Sequence, residues 1–220
     1  MRLQNFKSSE PQTDYAPSWD FSLGYSTIPL RIDNLVLTCL EKEKEIKKLP
    51  LTRQRDGKYT DGYTGLGKNS TTARFAEYNV LEWDTPETNI LKKYVRIHVS
   101  EYNNQLGNET PEYLWARCWV NVLRWRQKIN AHMHTVRSNC YLSAHFTVQA
   151  HNTSTCYMNP INQINDPETI KEENIPGQFT IFPSYVPHYT TRHYSLKPRI
   201  TIAMDIQTEN DRRHQHMVLL

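Results

Sequence analysis

Arg117-Cys118-Trp119-Val120-Asn121-Val122-Leu123 and Arg199-Ile200-Thr201-Ile202-Ala203-Met204-Asp205-Ile206 are the stretches on which the fold turns. Both alternate, so that successive side chains belong on opposite faces, the period-2 signature of a β-strand. In the second, Ile200, Ile202, Met204 and Ile206 fall on one face and Arg199, Thr201, Ala203 and Asp205 on the other. Between them the pattern predicts strands at Tyr141–Gln149, Thr153–Met158, Phe179–Phe182 after the turn Pro176-Gly177, and Tyr189–His193 after Pro187. About six short strands at this spacing make a sandwich or a jelly-roll barrel.

Working back towards the N-terminus, the period changes to that of helices. Thr85-Pro86 sets a capping residue before a proline at the first helical position, and Ile90, Leu91, Tyr94, Val95, His98 and Tyr102 recur at helical spacing. Asn103-Asn104 and Gly107-Asn108 close that helix. An earlier helix is expected from a cap at Asp33 or Asn34 to Pro50, with Glu41–Glu45 alternating in charge on a solvated face. Residues 1–30, punctuated by Pro11, Pro17 and Pro29, read as an extended arm, and Thr208–Leu220 as a polar, frayed tail. The expected organisation is one α+β domain over 1–220. Residues 1–114 carry the arm, two helices packed on the sheet and a Gly-rich loop, 115–206 the β core, and 207–220 the tail.

Composition narrows the function. The chain has 220 residues, 38% hydrophobic and 11% aromatic, enough for a single core. Lys+Arg 26 against Asp+Glu 23 gives only +3, which argues against a nucleic-acid partner that is held by its phosphates. No stretch approaches the roughly 20 apolar residues of a membrane span. Met1–Lys7 carries no apolar run, so no secretory leader is expected. Cys39, Cys118, Cys140 and Cys156 contain no C-x-x-C pair and read as reduced, buried thiols of a cytoplasmic protein. Oligomeric state is not legible.

The sharpest chemical feature is His132-Met133-His134. On a strand, residues i and i+2 share a face, so both imidazoles can converge on one metal ion. Two ligands hold a metal weakly, and His188, stiffened by Pro183 and Pro187, is the natural third. Three ligands on one side leave positions opposite for a chelating substrate and O₂. Arg199, opening the last strand, can hold the far carboxylate of a dicarboxylate chelator, with the Thr201 hydroxyl beside it.

The ordered set Trp119-Val120-Asn121-Val122, His132-x-His134, Pro176-Gly177-Gln178-Phe179-Thr180-Ile181-Phe182-Pro183 with His188, and Arg199-Ile200-Thr201-Ile202-Ala203 resembles the 2-oxoglutarate/Fe(II)-dependent oxygenase superfamily. Within it the chain is most similar to the prolyl-hydroxylase-like branch of phage and bacterial genomes. The resemblance covers residues 115–206 and implies a double-stranded β-helix (jelly roll). Fe(II) would be held by His132, His134 and His188, and 2-oxoglutarate, the cosubstrate, by Arg199 and Thr201. It implies a hydroxylase that consumes O₂ and 2-oxoglutarate, releasing succinate and CO₂; the substrate, a small molecule or a peptide, is not specified. One departure matters: the superfamily's first motif is usually His-x-Asp or His-x-Glu, and here the second residue is His134. A neutral imidazole in that place removes one negative charge from around the metal.

Two other classes are compatible with these residues. One is a cupin-like three-His dioxygenase that takes its substrate directly on the metal; the other is a jelly roll that binds metal without catalysis. The remaining motifs carry less. Gly62-Tyr63-Thr64-Gly65-Leu66-Gly67-Lys68-Asn69 approximates a phosphate loop, but Asn69 replaces the Mg²⁺-binding hydroxyl and no apolar strand precedes it. It reads as a loop able to fold over a substrate. His98 reads as a hydrogen-bonded core residue, His145 and His151 have no assigned place, and His214-x-His216 lies in the tail without a partner.

Overall fold

The computed structural model describes residues 1–11, 13–15, 18–134, 140–159, 166–210 and 216–220. Its strands are β1 (Arg2–Phe6), β2 (Phe21–Thr27), β3 (Trp115–Leu123), β4 (Cys140–Gln149), β5 (Ser154–Met158), β6 (Thr169–Glu173), β7 (Gln178–Pro183), β8 (His188–Thr190), β9 (Arg199–Gln207) and β10 (Val218–Leu219). They form a seven-stranded sheet in the order β1-β2-β7-β4-β9-β3-β10 and a three-stranded sheet in the order β6-β5-β8. Every pairing is antiparallel. The helices are α1 (Ile32–Ile46) and α2 (Pro86–Gln105).

Helices and strands interlock through one apolar cluster. Leu35 and Cys39 of α1 and Leu91, Val95 and Val99 of α2 share it with Val120, Phe146, Ile200, Ile202 and Met204 of the large sheet. All nine residues of β9 are buried, although every second one is polar or small, because both faces of the strand are covered. Its Ile/Met face meets the helices; its other face looks towards the small sheet, where the site lies. A second cluster, with Phe21, Leu23, Tyr157, Phe182 and Val186, closes the space between the sheets.

Local chemistry explains α2. The Thr85 hydroxyl accepts from the Thr88 amide, the Thr88 hydroxyl accepts from the Thr85 amide, and Pro86 begins the helix. α1 starts earlier than its sequence suggests. Arg31 is the capping residue, without a side-chain cap, and Asp33 sits inside the first turn, where its carboxylate meets the positive end of the helix. Glu43, read as part of a solvated face, is buried, accepting from Arg124 at 2.6 Å and pairing with Lys47 at 2.7 Å.

The ends differ from the sequence reading. Residues 1–30 are not simply an arm, since β1 and β2 extend the large sheet along β7, so strands precede the helices. Gly24 makes this possible: a Cβ there would come within 2.7 Å of Ile181 and 2.8 Å of Tyr102, so a larger residue would push α2 off β2. In the tail, β10 pairs with Trp115 and Ala116 instead of fraying. The cysteines form no disulfide, and Cys140 is only partly buried, in contrast to the other three. Among the described residues, no helix is long and apolar enough to cross a membrane.

Candidate metal centre

His132 and His134 follow β3, and neither lies in a named strand. What brings the imidazoles together is a single β-bridge to the first residue of β8. His132 donates its amide to the His188 carbonyl at 3.0 Å, and His188 returns the bond at 3.0 Å. This replaces the strand pleat expected from sequence; flanking bonds from the Thr190 amide to Ile129 at 3.1 Å and from the His134 amide to Ser184 at 3.4 Å hold the segment alongside. The rings of His132 and His188 are 4.5 Å apart, and His134 stacks on His188 at 5.1 Å, 17° from parallel. One ligand atom from each of the three lies within 4.8 Å of the others.

The hydrogen bonds on the far side of each ring point the donor nitrogens inward. Nδ1 of His132 meets the Asn130 carbonyl at 2.9 Å, Nδ1 of His188 the Val186 carbonyl at 3.0 Å, and Nδ1 of His134 the Asp205 carboxylate at 2.5 Å. Carbonyl and carboxylate oxygens only accept, so each Nδ1 carries a proton, which leaves Nε2 as the nitrogen through which each ring could bind a metal. Nε2 of His134 and Nε2 of His188 are 3.3 Å apart. At that distance the two nitrogens share either a proton, one ring donating to the other, or a metal ion between them. Nitrogens held about 2.1 Å from one ion sit about 3.0 Å apart at a right angle and about 3.4 Å apart at the tetrahedral angle, so the spacing fits a shared metal. Imidazole donors suit iron, zinc, copper or nickel. Burial, reinforced by His134, pushes His132 down to about 4, and burial together with His132 and His134 holds His188 well below the usual histidine value. Neutral imidazole is the form that a metal requires.

Arg199 and Thr201 lie on the same inward face of β9 as Asp205. Arg199 is 2% exposed and remains a cation, since burial lowers its pKa only to about 10. Its Nε and Nη2 donate to Asn174 Oδ1 at 3.3 and 3.1 Å, and Nη1 donates to the Thr201 hydroxyl at 3.4 Å. Among the described residues no carboxylate pairs with it. A buried guanidinium satisfied only by neutral oxygens is an anion site in waiting. His145 on β4 faces the same space, with Nε2 2.9 Å from the Tyr157 hydroxyl. A tight cavity of about 40 Å³ joins the three histidines to Arg199, Thr201 and His145. A wide one of about 740 Å³ opens on the other side of His132 and His134, walled by Phe75, Arg117, Trp119 and Asp205.

The loop once read as a phosphate-loop near-miss forms part of that wall through Asp61, Gly62, Tyr63 and Thr64. Gly65 takes φ +76°, and an added Cβ would lie 2.2 Å from Asn130 Nδ2, so the loop packs directly on the segment that leads to His132. His98 is buried and bonded to Glu101 at 2.9 Å, as a core histidine should be. His216 bonds to Glu82 at 3.0 Å, and its partner His214 lies outside the described residues.

Sequence reading allowed that His145 could approach the site without placing it, and missed Asp205, Arg117 and Asn174 as contributors. The register supplies them: Arg117 and Ser143 flank Asp205, Trp119 and His145 flank Ala203, and Asn121 and Thr147 flank Thr201. Burial acts to raise the Asp205 pKa, yet Arg117 and His134 hold its carboxyl well below the usual carboxylate range.

Acid sensitivity follows from these buried groups. Burial, then Arg199 and His134, lowers His145 to about 3, whereas an unfolded histidine titrates near about 6.5. Between those values the unfolded chain binds a proton that the folded chain refuses, so stability is intact above about pH 6.5 and falls as pH drops. The urea midpoint of metal-free protein is expected to decline between pH 7.5 and 5, and His145→Gln to flatten part of the slope. A midpoint constant over that range would contradict the neutral, buried state of these rings.

No protein-family sequence model matches the chain, and no curated protein is detectably similar to it in sequence. Solved structures resemble it in fold. A prolyl hydroxylase from Trichoplax adhaerens, in complex with a hypoxia inducible factor oxygen degradation domain peptide fragment, aligns with TM-score 0.58 and 13% identity, covering 88% of this chain and 86% of that one. A Pseudomonas putida prolyl-4-hydroxylase aligns with TM-score 0.50 and 12% identity, covering 86% and 93%. The chain therefore shares the fold of these two prolyl hydroxylases, a mostly antiparallel β architecture with few helices.

Proposed function

We propose that the protein is a non-haem Fe(II), 2-oxoglutarate-dependent oxygenase of the hydroxylase type. In this reading, the strands within 115–206 form a double-stranded β-helix, which β1, β2 and β10 extend, in one 1–220 domain. The observation that carries the proposal is a buried arginine that bonds to Asn174 and Thr201 and has no carboxylate partner among the described residues, in the same cavity as three inward-pointing imidazoles. A metal-binding jelly roll without catalysis has no use for that cation. A dioxygenase taking its substrate directly on the metal would use it only for a substrate that itself carries a carboxylate, and succinate formation separates the two.

Bound together, Fe(II) and 2-oxoglutarate supply O₂ activation coupled to decarboxylation, giving succinate, CO₂ and an oxygen atom for a substrate C–H bond. His132, His134 and His188 hold the metal through Nε2. Arg199 and Thr201 take the far carboxylate of the cosubstrate, fixing its angle by charge-assisted hydrogen bonds. The tight cavity, at about 40 Å³, has room for water rather than a dicarboxylate. Binding a carboxylate there would need the side chains around Arg199 to give way and Arg199 to release the Asn174 amide oxygen. Trp119 and Phe182, packed on His134 at 5.4 and 6.2 Å, keep bulk water from the ring. The wide cavity then presents the substrate, and its size admits either a small molecule or a peptide side chain. A peptide is the ligand named for the Trichoplax relative. Four cysteines without a disulfide favour a reducing, cytoplasmic setting.

The test is product analysis. Purified protein given Fe(II), 2-oxoglutarate and O₂ is expected to form succinate, and to form none when either Fe(II) or 2-oxoglutarate is withheld. Firm metal retention with neither succinate nor calorimetric 2-oxoglutarate binding would overturn the proposal in favour of a non-catalytic metal protein.

A further inference from the structure

We infer that Asp205, hydrogen-bonded to His134, returns to the metal centre the carboxylate that a His-x-His arrangement lacks, with Arg117 as the partner that fixes its other oxygen. The inference rests on the metal-centre reading above and concerns how that centre is built.

The three imidazoles are not equivalent. His132 and His188 lean on neutral backbone carbonyls, whereas His134 leans on a carboxylate at 2.5 Å. The difference falls on the one position where the resemblance leads one to expect a carboxylate and the chain has a histidine. The other Asp205 oxygen accepts from Arg117 Nη2 at 2.5 Å. Both oxygens are thereby occupied, and the side chain is 6% exposed. Strand register enforces the pairing, since Arg117 on β3 stands directly opposite Asp205 on β9. Arg117 is itself fixed, its guanidinium 5.0 Å from the Phe75 ring and 5.9 Å from the Trp119 ring. A carboxylate behind a metal-ligating imidazole locks the tautomer, orients the ring and makes Nε2 a stronger donor. Asp205 is thus a positioning residue, one bond removed from the place where a His-x-Asp protein has its carboxylate.

The competing explanation is structural: Asp205 only neutralises a buried arginine. The two separate on metal affinity measured in folded protein. Cobalt(II), followed by its visible absorption in competition with a chelator, is the probe. Asp205→Asn is expected to fold, by circular dichroism, and to bind Co(II) 10- to 100-fold more weakly, with a shifted absorption band. His134→Asp alone crowds two carboxylates around Arg117 and is expected to bind poorly. His134→Asp combined with Asp205→Asn moves the carboxylate into direct contact and is expected to recover at least tenfold of the lost affinity. A second measurement needs no substitution at Asp205. In zinc-loaded protein the Nδ1 proton of His134 should resonate further downfield than those of His132 and His188. Unchanged Co(II) affinity in folded Asp205→Asn, absence of recovery in the double variant, or three equivalent Nδ1 protons would each overturn the inference. Wild-type protein that binds no Co(II) would instead remove the metal-centre reading, and this inference with it.

Discussion

His188→Ala is expected to abolish stoichiometric Fe(II) retention while leaving the chain folded. His188 is 6% exposed, and its ring contacts those of both His132 and His134. The bridge to His132 runs through main-chain groups, which an alanine keeps, so the loop carrying the other two ligands stays in place. What disappears is one of three donors on one side of the ion. Loss of a residue merely supporting a ligand costs about 10–100-fold in metal affinity, so loss of the ligand itself should exceed about 100-fold. Anaerobic equilibrium dialysis against Fe(II) measures this, with a thermal melt to confirm folding. Undiminished iron in the variant would mean that the ion binds elsewhere. His132→Ala should behave in the same way, since its Nε2 turns inward for the same reason.

The second large effect is expected at the other end of the tight cavity. Arg199→Met keeps most of the side-chain volume and deletes the charge, and it should weaken 2-oxoglutarate binding by one to two tenfold steps. Charge-assisted hydrogen bonds contribute about 1.5–3 kcal/mol, and each 1.4 kcal/mol is a factor of ten. Fe(II) affinity should be unchanged, because Arg199 supports no ligand ring directly. Metal-free stability should fall little, since among the described residues the guanidinium is bound by neutral Asn174 and Thr201 and its removal leaves no buried carboxylate unpaired. Calorimetric titration of Fe(II)-loaded protein with 2-oxoglutarate separates these effects. A normal titration would release Arg199 from its assignment.

Much of the β core was legible because alternation survives burial. Strands β3, β4, β5, β7 and β9 carry apolar residues on every second position, and the Thr85-Pro86 signal marks α2 to the residue. Strand β6, Thr169-Ile170-Lys171-Glu172-Glu173, was not legible, being a half-exposed edge whose charges hide any period. The hairpin of β1 and β2 was missed for another reason. Phe21, Leu23 and Tyr25 do alternate, but the prolines before them suggest a chain without sheet partners, and the pairing with β7 is long-range.

In the site, side chains with distinctive chemistry could be picked from the sequence, while their supports could not. His132, His134, His188, Arg199 and Thr201 announce themselves by type and order. Asp205 falls on the correct face of its strand by simple alternation, yet its meaning depends on Arg117 standing opposite, which only the register of β3 against β9 determines. His145 and Asn174 reach the cavity by the same kind of long-range placement. The local route to His132 and His134 was also different from the expectation: a bridge to His188, not a continuous strand, aligns them.

The most direct trial of the metal centre is an anaerobic crystal structure of the protein soaked with Fe(II) and 2-oxoglutarate, with anomalous scattering recorded at the iron edge. A single iron peak within bonding distance of Nε2 of His132, His134 and His188, with the far carboxylate of 2-oxoglutarate on Arg199 in place of Asn174, is the predicted result. Iron seated away from these rings, or 2-oxoglutarate bound without contact to Arg199, would contradict it.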